Sequence, residues 1–199
     1  MSLYKFPLSG VLCKGQFIIL SWAEPEEFDK ITRLRNSERV RHCFLMNNSL
    51  EESANRHWLS SKIKKPTESM LSIRWIEGNK WLGTCGWSDW DQKAKTVWLG
   101  RLMIDYKELR SIANLIPPNY VGPVIDAAIT LRDFTFKKLN VKEILTFHFA
   151  GNKLSENVVK KIGLVERSRS VRERPDGDLI ETVNMSLTKA RWEKMKANY

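Results

Sequence analysis

The chain has 199 residues, 42% hydrophobic and 28% charged, with 33 Lys plus Arg against 23 Asp plus Glu and a net charge of +10. That mix can bury a core and excludes wholesale disorder. No segment reaches the ~18 uncharged apolar residues of a membrane span, and the run Phe17-Ile18-Ile19-Leu20 is too short for a signal-peptide core, so a cytoplasmic protein is expected. Cys13, Cys43 and Cys85 are odd in number and scattered without a CxxC pair, which argues against a disulfide framework and against a metal site. A basic surface attracts polyanions, either RNA or a phosphate-rich cofactor or substrate. The basic residues are spread along the chain with no nucleic-acid-binding motif, so nucleic acid is not the expected partner.

Residues 1–15 read as an irregular leader and 16–22 as a first strand. Glu24-Pro25-Glu26-Glu27 suits a positive helix N-terminus, and Phe28, Ile31 and Leu34 follow at helical spacing, which predicts a helix over 24–36. A second helix is expected over 50–63, with Ser49 and Glu52 as a capping box and Trp58, Leu59 and Ile63 on one face. Leu71, Ile73 and Trp75 alternate with Ser72 and Arg74 as in a strand, and 81–90 supplies its hairpin partner. A fourth strand covers 96–104. Residues 106–115 read as a short helix, broken by Ile116-Pro117-Pro118-Asn119. Gly122-Pro123 opens a long helix to Leu139, with Ile125, Ala128, Ile129 and Phe136 in one stripe. A fifth strand spans 141–149, and Asn152 caps a helix that Gly163 ends. Strands 164–173 and 179–187 flank the turn signal Asp176-Gly177, and a helix over 188–196 closes the chain. The fold class is α/β: a twisted mixed sheet of about seven strands with helices on both faces.

The stretch 96–165 carries the chemistry. A helix opened by a glycine loop points free backbone N–H groups at whatever precedes it, which makes an anion site. Gly122 occupies that place, although the same glycine also reads as a plain turn.

The ordered motifs resemble the GNAT acetyltransferase superfamily over nearly the whole chain. Leu34-Arg35-Asn36-Ser37-Glu38-Arg39-Val40-Arg41 is similar to the "RN-x-x-x-V-R" stretch after the first helix. Leu82-Gly83-Thr84-Cys85-Gly86 is similar to the "IG-x-x-G" strand, and Leu99 to Ile104 to the central strand. Asn152-Lys153-Leu154-Ser155 through Lys161-Ile162-Gly163-Leu164 resembles "N-x-x-S-x-x-V-x-x-K-x-G-F". Within the superfamily the chain is most similar to the ribosomal-protein N-terminal and amino-sugar acetyltransferase branch.

The resemblance implies one domain over 1–199, a sheet split between the fourth and fifth strands, and acetyl transfer from acetyl-CoA to a primary amine. It implies that pantetheine lies along Leu102, Met103 and Ile104. The pyrophosphate would sit at Asn119, Val121, Gly122 and Val124, and the cofactor would face Asn152 and Ser155. Only Gly122 of 119–124 keeps the family's phosphate-loop pattern, and Pro123 has no N–H to give. Each lost charge-assisted bond costs roughly 1–3 kcal/mol. Val159 stands where many members place a proton-donating tyrosine, which leaves Ser155, His148 and Asp105 as catalytic candidates. Ser155 and Asn152 also read as ordinary first-turn and cap residues, and His148 as a structural histidine. Arg35 and Asn36 are candidates for ordering the acceptor side; their alternative is an ordinary helix end. Trp87 is a candidate substrate contact, although Trp75, Trp81, Trp87, Trp90 and Trp98 as a set read as sheet cover. The expected acceptor is a small-molecule amine, such as an amino sugar or its nucleotide-linked form. A protein or peptide α-amine and a non-catalytic scaffold are the alternatives, and a monomer or homodimer is expected.

Overall fold

The computed structural model describes residues 10–62, 65 and 67–197. One open, mixed sheet of eight strands holds them, in the order β1-β2-β3-β4-β5-β6-β8-β7. The strands are β1 (Val11–Lys14), β2 (Ile18–Trp22), β3 (Leu71–Trp75), β4 (Lys80–Asp91), β5 (Thr96–Ile104), β6 (Glu143–Phe149), β7 (Val165–Glu173) and β8 (Leu179–Thr188). All neighbours run antiparallel except β5 and β6, which are parallel. The helices are α1 (Phe28–Asn36), α2 (Glu38–Arg41), α3 (Glu52–Lys62), α4 (Tyr106–Arg110), α5 (Pro123–Lys138), α6 (Lys153–Lys161) and α7 (Lys189–Ala197).

The seven expected strands all form, and an eighth joins them. Val11–Lys14, read as irregular leader, adds to the edge as β1, bulged between Val11 and Cys13. Four residues are too few to display an alternation. Residues 1–9 of the expected leader lie outside the described residues, as does Ile63 at the expected end of α3. The cap of α3 also differs: the Glu51 carboxylate, rather than Ser49, accepts from Ser53 N (3.0 Å) and Ala54 N (2.6 Å). Asn152 caps α6 as expected, its side chain accepting from Ser155 N at 3.1 Å.

Each face of the sheet carries its own core. Leu82, Leu131, Phe136, Ile144, Met185 and Trp192 belong to the one beneath α5, α6 and α7. Phe28, Ile31, Leu34, Leu59, Trp81 and Met103 form the other, beneath α1 and α3. Strand alternation divides the two: Met103 enters one core and its neighbour Ile104 the other. The densest basic run, Arg167 to Arg174, alternates as the solvent face of a strand does, and all but Arg174 lies on β7, an edge strand whose residues 165–169 are all exposed. Charge on an edge discourages pairing with another chain.

Candidate active site

The sheet opens between β5 and β6. They pair only at Thr96, Val97 and Trp98 with Glu143, Ile144 and Leu145. Beyond Trp98, β5 bonds β4 alone and β6 bonds β8 alone. The split expected between the fourth and fifth strands is this one, with β1 shifting the numbering. A bulge bends β5 at the split: Gly86 faces Gly100 and Thr84 faces Met103, so two β5 residues oppose one on β4. Arg101 takes the left-handed conformation there (φ 55°). Thr84 Oγ1 donates to its carbonyl at 2.8 Å, and its guanidinium pairs with Glu68 at 2.6 Å. Burial pushes the Glu68 carboxyl up, but the hydrogen bonds from Lys62 and Arg101 outweigh it and hold it below the usual range. Gly83 lets the two strands close at this point. A methyl there would collide with the Met103 carbonyl oxygen and stand 3.0 Å from Ile104 Cα and from the Met103 carbonyl carbon.

A cleft of about 530 Å³ fills the split. On the α5–α6 side it is lined by Leu102, Ile104, Val124, Ala128, Asn152 and Ser155. Met103 and Trp87 also reach it. Gly122 caps α5 with φ 94° and ψ 150°. The first-turn N–H groups of Val124 and Ile125 have no carbonyl partner within the helix and face outward. Asn119, Val121 and Gly122 are not among the cleft-lining residues, and Val121 is half exposed. The loop is instead stitched from behind. The buried Asp126 carboxylate accepts from Gln16 N (3.0 Å), Phe17 N (2.9 Å) and Tyr120 Oη (2.7 Å). Burial, then the bond to Asp126, pushes the Tyr120 phenol pKa up.

The opposite wall is the segment after α1, with Arg39, Val40, Cys43, Phe44 and Leu45. Arg35 and Asn36 do not reach the cleft; they hold this segment. The Asn36 amide donates to Leu50 O (2.8 Å) and accepts from Leu50 N (2.7 Å). Arg35 donates to Met46 O and lies 4.1 Å over the Phe44 ring. The β7–β8 hairpin braces the same segment, with Arg174 donating to His42 O at 2.8 Å and Asn47 to Asp176 at 2.5 Å. Trp87 is 1% exposed and packs between Trp22 and Phe134, so it forms the floor and offers little surface to a substrate.

The three catalytic candidates separate. Ser155 lines the cleft, and its hydroxyl makes no hydrogen bond among the described residues. Asp105 does not line it; its carboxylate caps α4, accepting from Lys107 N (2.9 Å) and Glu108 N (3.3 Å). His148 lines a different cavity of about 350 Å³, with Lys153, Glu156 and Arg169. The reason is alternation. Ile144, fully buried in the core beneath α5–α7, sets the face that His148 shares four residues on, while Phe147 lies on the other. Sequence reading missed Arg39, Tyr106, Asp89 and Arg172, all of which line the cleft. Arg39 stands in the stretch after the first helix and Arg172 in the basic run 167–174, but nothing in the spacing sets either apart from its neighbours.

No group of three or more His, Cys, Asp or Glu able to hold a metal occurs among the described residues. No helix among them is long and apolar enough to cross a membrane.

The open mixed sheet, split beside a parallel pair and backed by a glycine-capped helix, has the architecture that the resemblance implied. The chain belongs to the acetyltransferase (GNAT) domain family, whose model matches residues 18–165. Solved structures share the fold. One is a GNAT-family acetyltransferase from Bacillus anthracis, 14% identical, with TM-score 0.71 over 89% of this chain and 98% of that one. Another is spermidine N-acetyltransferase from Vibrio cholerae in complex with CoA and spermine, 13% identical, with TM-score 0.71 over 88% of this chain and 98% of that one. A GCN5-related N-acetyltransferase from Brucella melitensis is 13% identical, with TM-score 0.70 over 96% and 85% of the two chains. No curated protein matches the sequence.

Proposed function

We propose that the protein transfers acetyl from acetyl-CoA to a primary amine of a small molecule, by direct attack and without a covalent enzyme intermediate. The observation that carries this reading is the cleft at the β5–β6 split, walled by α5 and α6 on one side and by the segment 39–45 on the other. A cofactor and an acceptor can enter it from opposite faces and meet at the bulge. The CoA-bound relative supports the choice of cofactor.

The residues present fit that cofactor. From Leu99 onward the side of β5 that would face β6 lacks a strand partner and is open to an extended pantetheine chain. Val124, Ala128 and Val158 give an apolar wall, and the first turn of α5 supplies N–H donors for a pyrophosphate. Acetyl-CoA supplies an activated acyl carbon and a thiolate leaving group.

The acceptor nitrogen forms its bond to the acyl carbon as the carbon–sulfur bond breaks. The nitrogen gives up one proton and the thiolate takes one up. Ser155 donates to the departing sulfur, a role supported by its uncommitted hydroxyl in the cleft. Asp89, the one carboxylate lining the cleft among the described residues, is placed to hold the ammonium form of the acceptor before it loses its proton. The cleft-side residues 39–45 exclude water from the thioester.

The test is thiol release from acetyl-CoA by the full chain against a panel of primary amines, with the acetylated product identified by mass. Amine-dependent release is expected. Acetylation confined to peptide α-amines would move the acceptor to protein N-termini, and no release with any amine would leave a non-catalytic scaffold.

A further inference from the structure

We infer that the acceptor is a primary amine carrying a phosphate or carboxylate group, which Arg39 and Arg172 bind from the two lips of the cleft. The inference rests on the acetyl-transfer reading above and names the substrate class for the same site. Three cations line the cleft, Arg39, Arg101 and Arg172, against the single carboxylate of Asp89. Arg101 is neutralised by Glu68 at 2.6 Å. Arg39 and Arg172 have no carboxylate partner among the described residues.

Both free guanidiniums are held in place by aromatic rings. Arg39 lies 3.6 Å over Tyr106, just past the end of β5, and Arg172 lies 4.2 Å over Phe147 of β6. Stacking occupies the face of a guanidinium and leaves its in-plane N–H groups to bind an anion bidentately. Arg172 spends one nitrogen on Asn184 Oδ1 at 3.3 Å.

Both also stand on the acceptor side. Phe147 lies on the face of β6 opposite the core beneath α5–α7, and Arg174, two residues beyond Arg172 on β7, reaches His42 O beside α2. A polycation entering here would meet two unpaired positive charges. An amine with an anionic group would find both the Asp89 carboxylate and the two arginines lining the same cleft.

The experiment measures kcat/KM for matched acceptors with saturating acetyl-CoA. The pairs are glucosamine and glucosamine 6-phosphate, and serine amide and serine, with spermidine as the polycation. Titration calorimetry of acetyl-CoA runs alongside. The anionic member of at least one pair is expected to be preferred by about tenfold or more, and the pair that shows it distinguishes phosphate from carboxylate. Inorganic phosphate should compete with the amine and not with acetyl-CoA. Arg172→Gln and the more exposed Arg39→Gln should each reduce that preference to within about threefold of unity, with acetyl-CoA affinity unchanged. Preference for spermidine or for the neutral members overturns the inference while leaving acetyl transfer standing. So does a loss of acetyl-CoA affinity in the variants with no change in acceptor preference, because the arginines then serve the cofactor. Absence of both acetyl-CoA binding and thiol release defeats the acetyl-transfer reading itself, and this inference with it.

Discussion

Replacing Gly83 with alanine tests how tightly β4 and β5 must close to shape the cleft. The new methyl would collide with the Met103 carbonyl oxygen and lie 3.0 Å from Ile104 Cα and from the Met103 carbonyl carbon, all backbone atoms that no rotamer change can move. Ordinary carbon contacts need 3.5 Å or more, so the strands must part by more than about half an ångström beside the bulge, the Met103 carbonyl oxygen demanding the most. Overpacking of this kind costs about 1–3 kcal/mol, and an alanine held at φ 153° adds about 1 kcal/mol or more. A total of about 3 kcal/mol lowers the melting temperature by about 6–12 °C in a chain of this size. Gly78→Ala is the matched control: its φ is also positive (73°), but nothing lies within 4 Å of the added methyl, so it carries the backbone cost alone. Thermal melts of both variants, with acetyl-CoA titrations, separate the two contributions. Gly83→Ala should melt at least about 5 °C below Gly78→Ala and bind acetyl-CoA more weakly. Melting within 1–2 °C of the control, with unchanged affinity, would refute the steric argument.

Asn36→Ala leaves both backbone groups of Leu50 without their partner and should cost about 1–3 kcal/mol in denaturant unfolding. Because the amide orders the acceptor wall, the acceptor KM should rise more than the KM for acetyl-CoA. Ser155→Ala should lower kcat by about 100-fold if its hydroxyl protonates the leaving thiolate, with acetyl-CoA affinity kept within about twofold; steady-state kinetics and calorimetry measure the two. Of the three free thiols only Cys43 is exposed, while burial pushes the Cys13 pKa to about 12 and that of Cys85 well above its usual range. A chromogenic thiol reagent near neutral pH should therefore titrate one group rapidly in the native protein and all three after denaturation. Acetyl-CoA should slow the rapid phase, because Cys43 lines the cleft.

The fold was legible where local signals were strong. Gly122-Pro123 marked the start of α5, Asn152 the start of α6, and Asp176-Gly177 the last hairpin. What escaped was set by tertiary contact. Val11–Lys14 is a strand because β2 offers it an edge, and Glu51 replaces Ser49 as a cap because its longer side chain reaches back to Ser53 and Ala54. At the cleft, the central-strand residues Leu102 to Ile104, the cap residue Asn152 and the first-turn residue Ser155 could be named from motif order. The side chains closing the acceptor side could not. Arg172 sits in a run of basic residues along β7, and only the pairing of β6, β8 and β7 brings it over Phe147. Asp126 reads as an acid in the first turn of a helix, yet it ties the turn between β1 and β2 to the loop before α5 over more than a hundred residues of sequence. His148 went the other way: the face of β6 that meets the main core is set by Ile144, and half-buried positions on both sides hid which register applied.

Isothermal titration of the purified protein with acetyl-CoA, with free CoA and AMP as controls, tests the account most directly. The split β5–β6 cleft and the N–H groups opening α5 predict saturable binding of acetyl-CoA and of CoA with Kd values of about 1–100 μM, and much weaker binding of AMP. No heat up to millimolar cofactor would contradict the account, leaving a family member whose cleft serves another ligand.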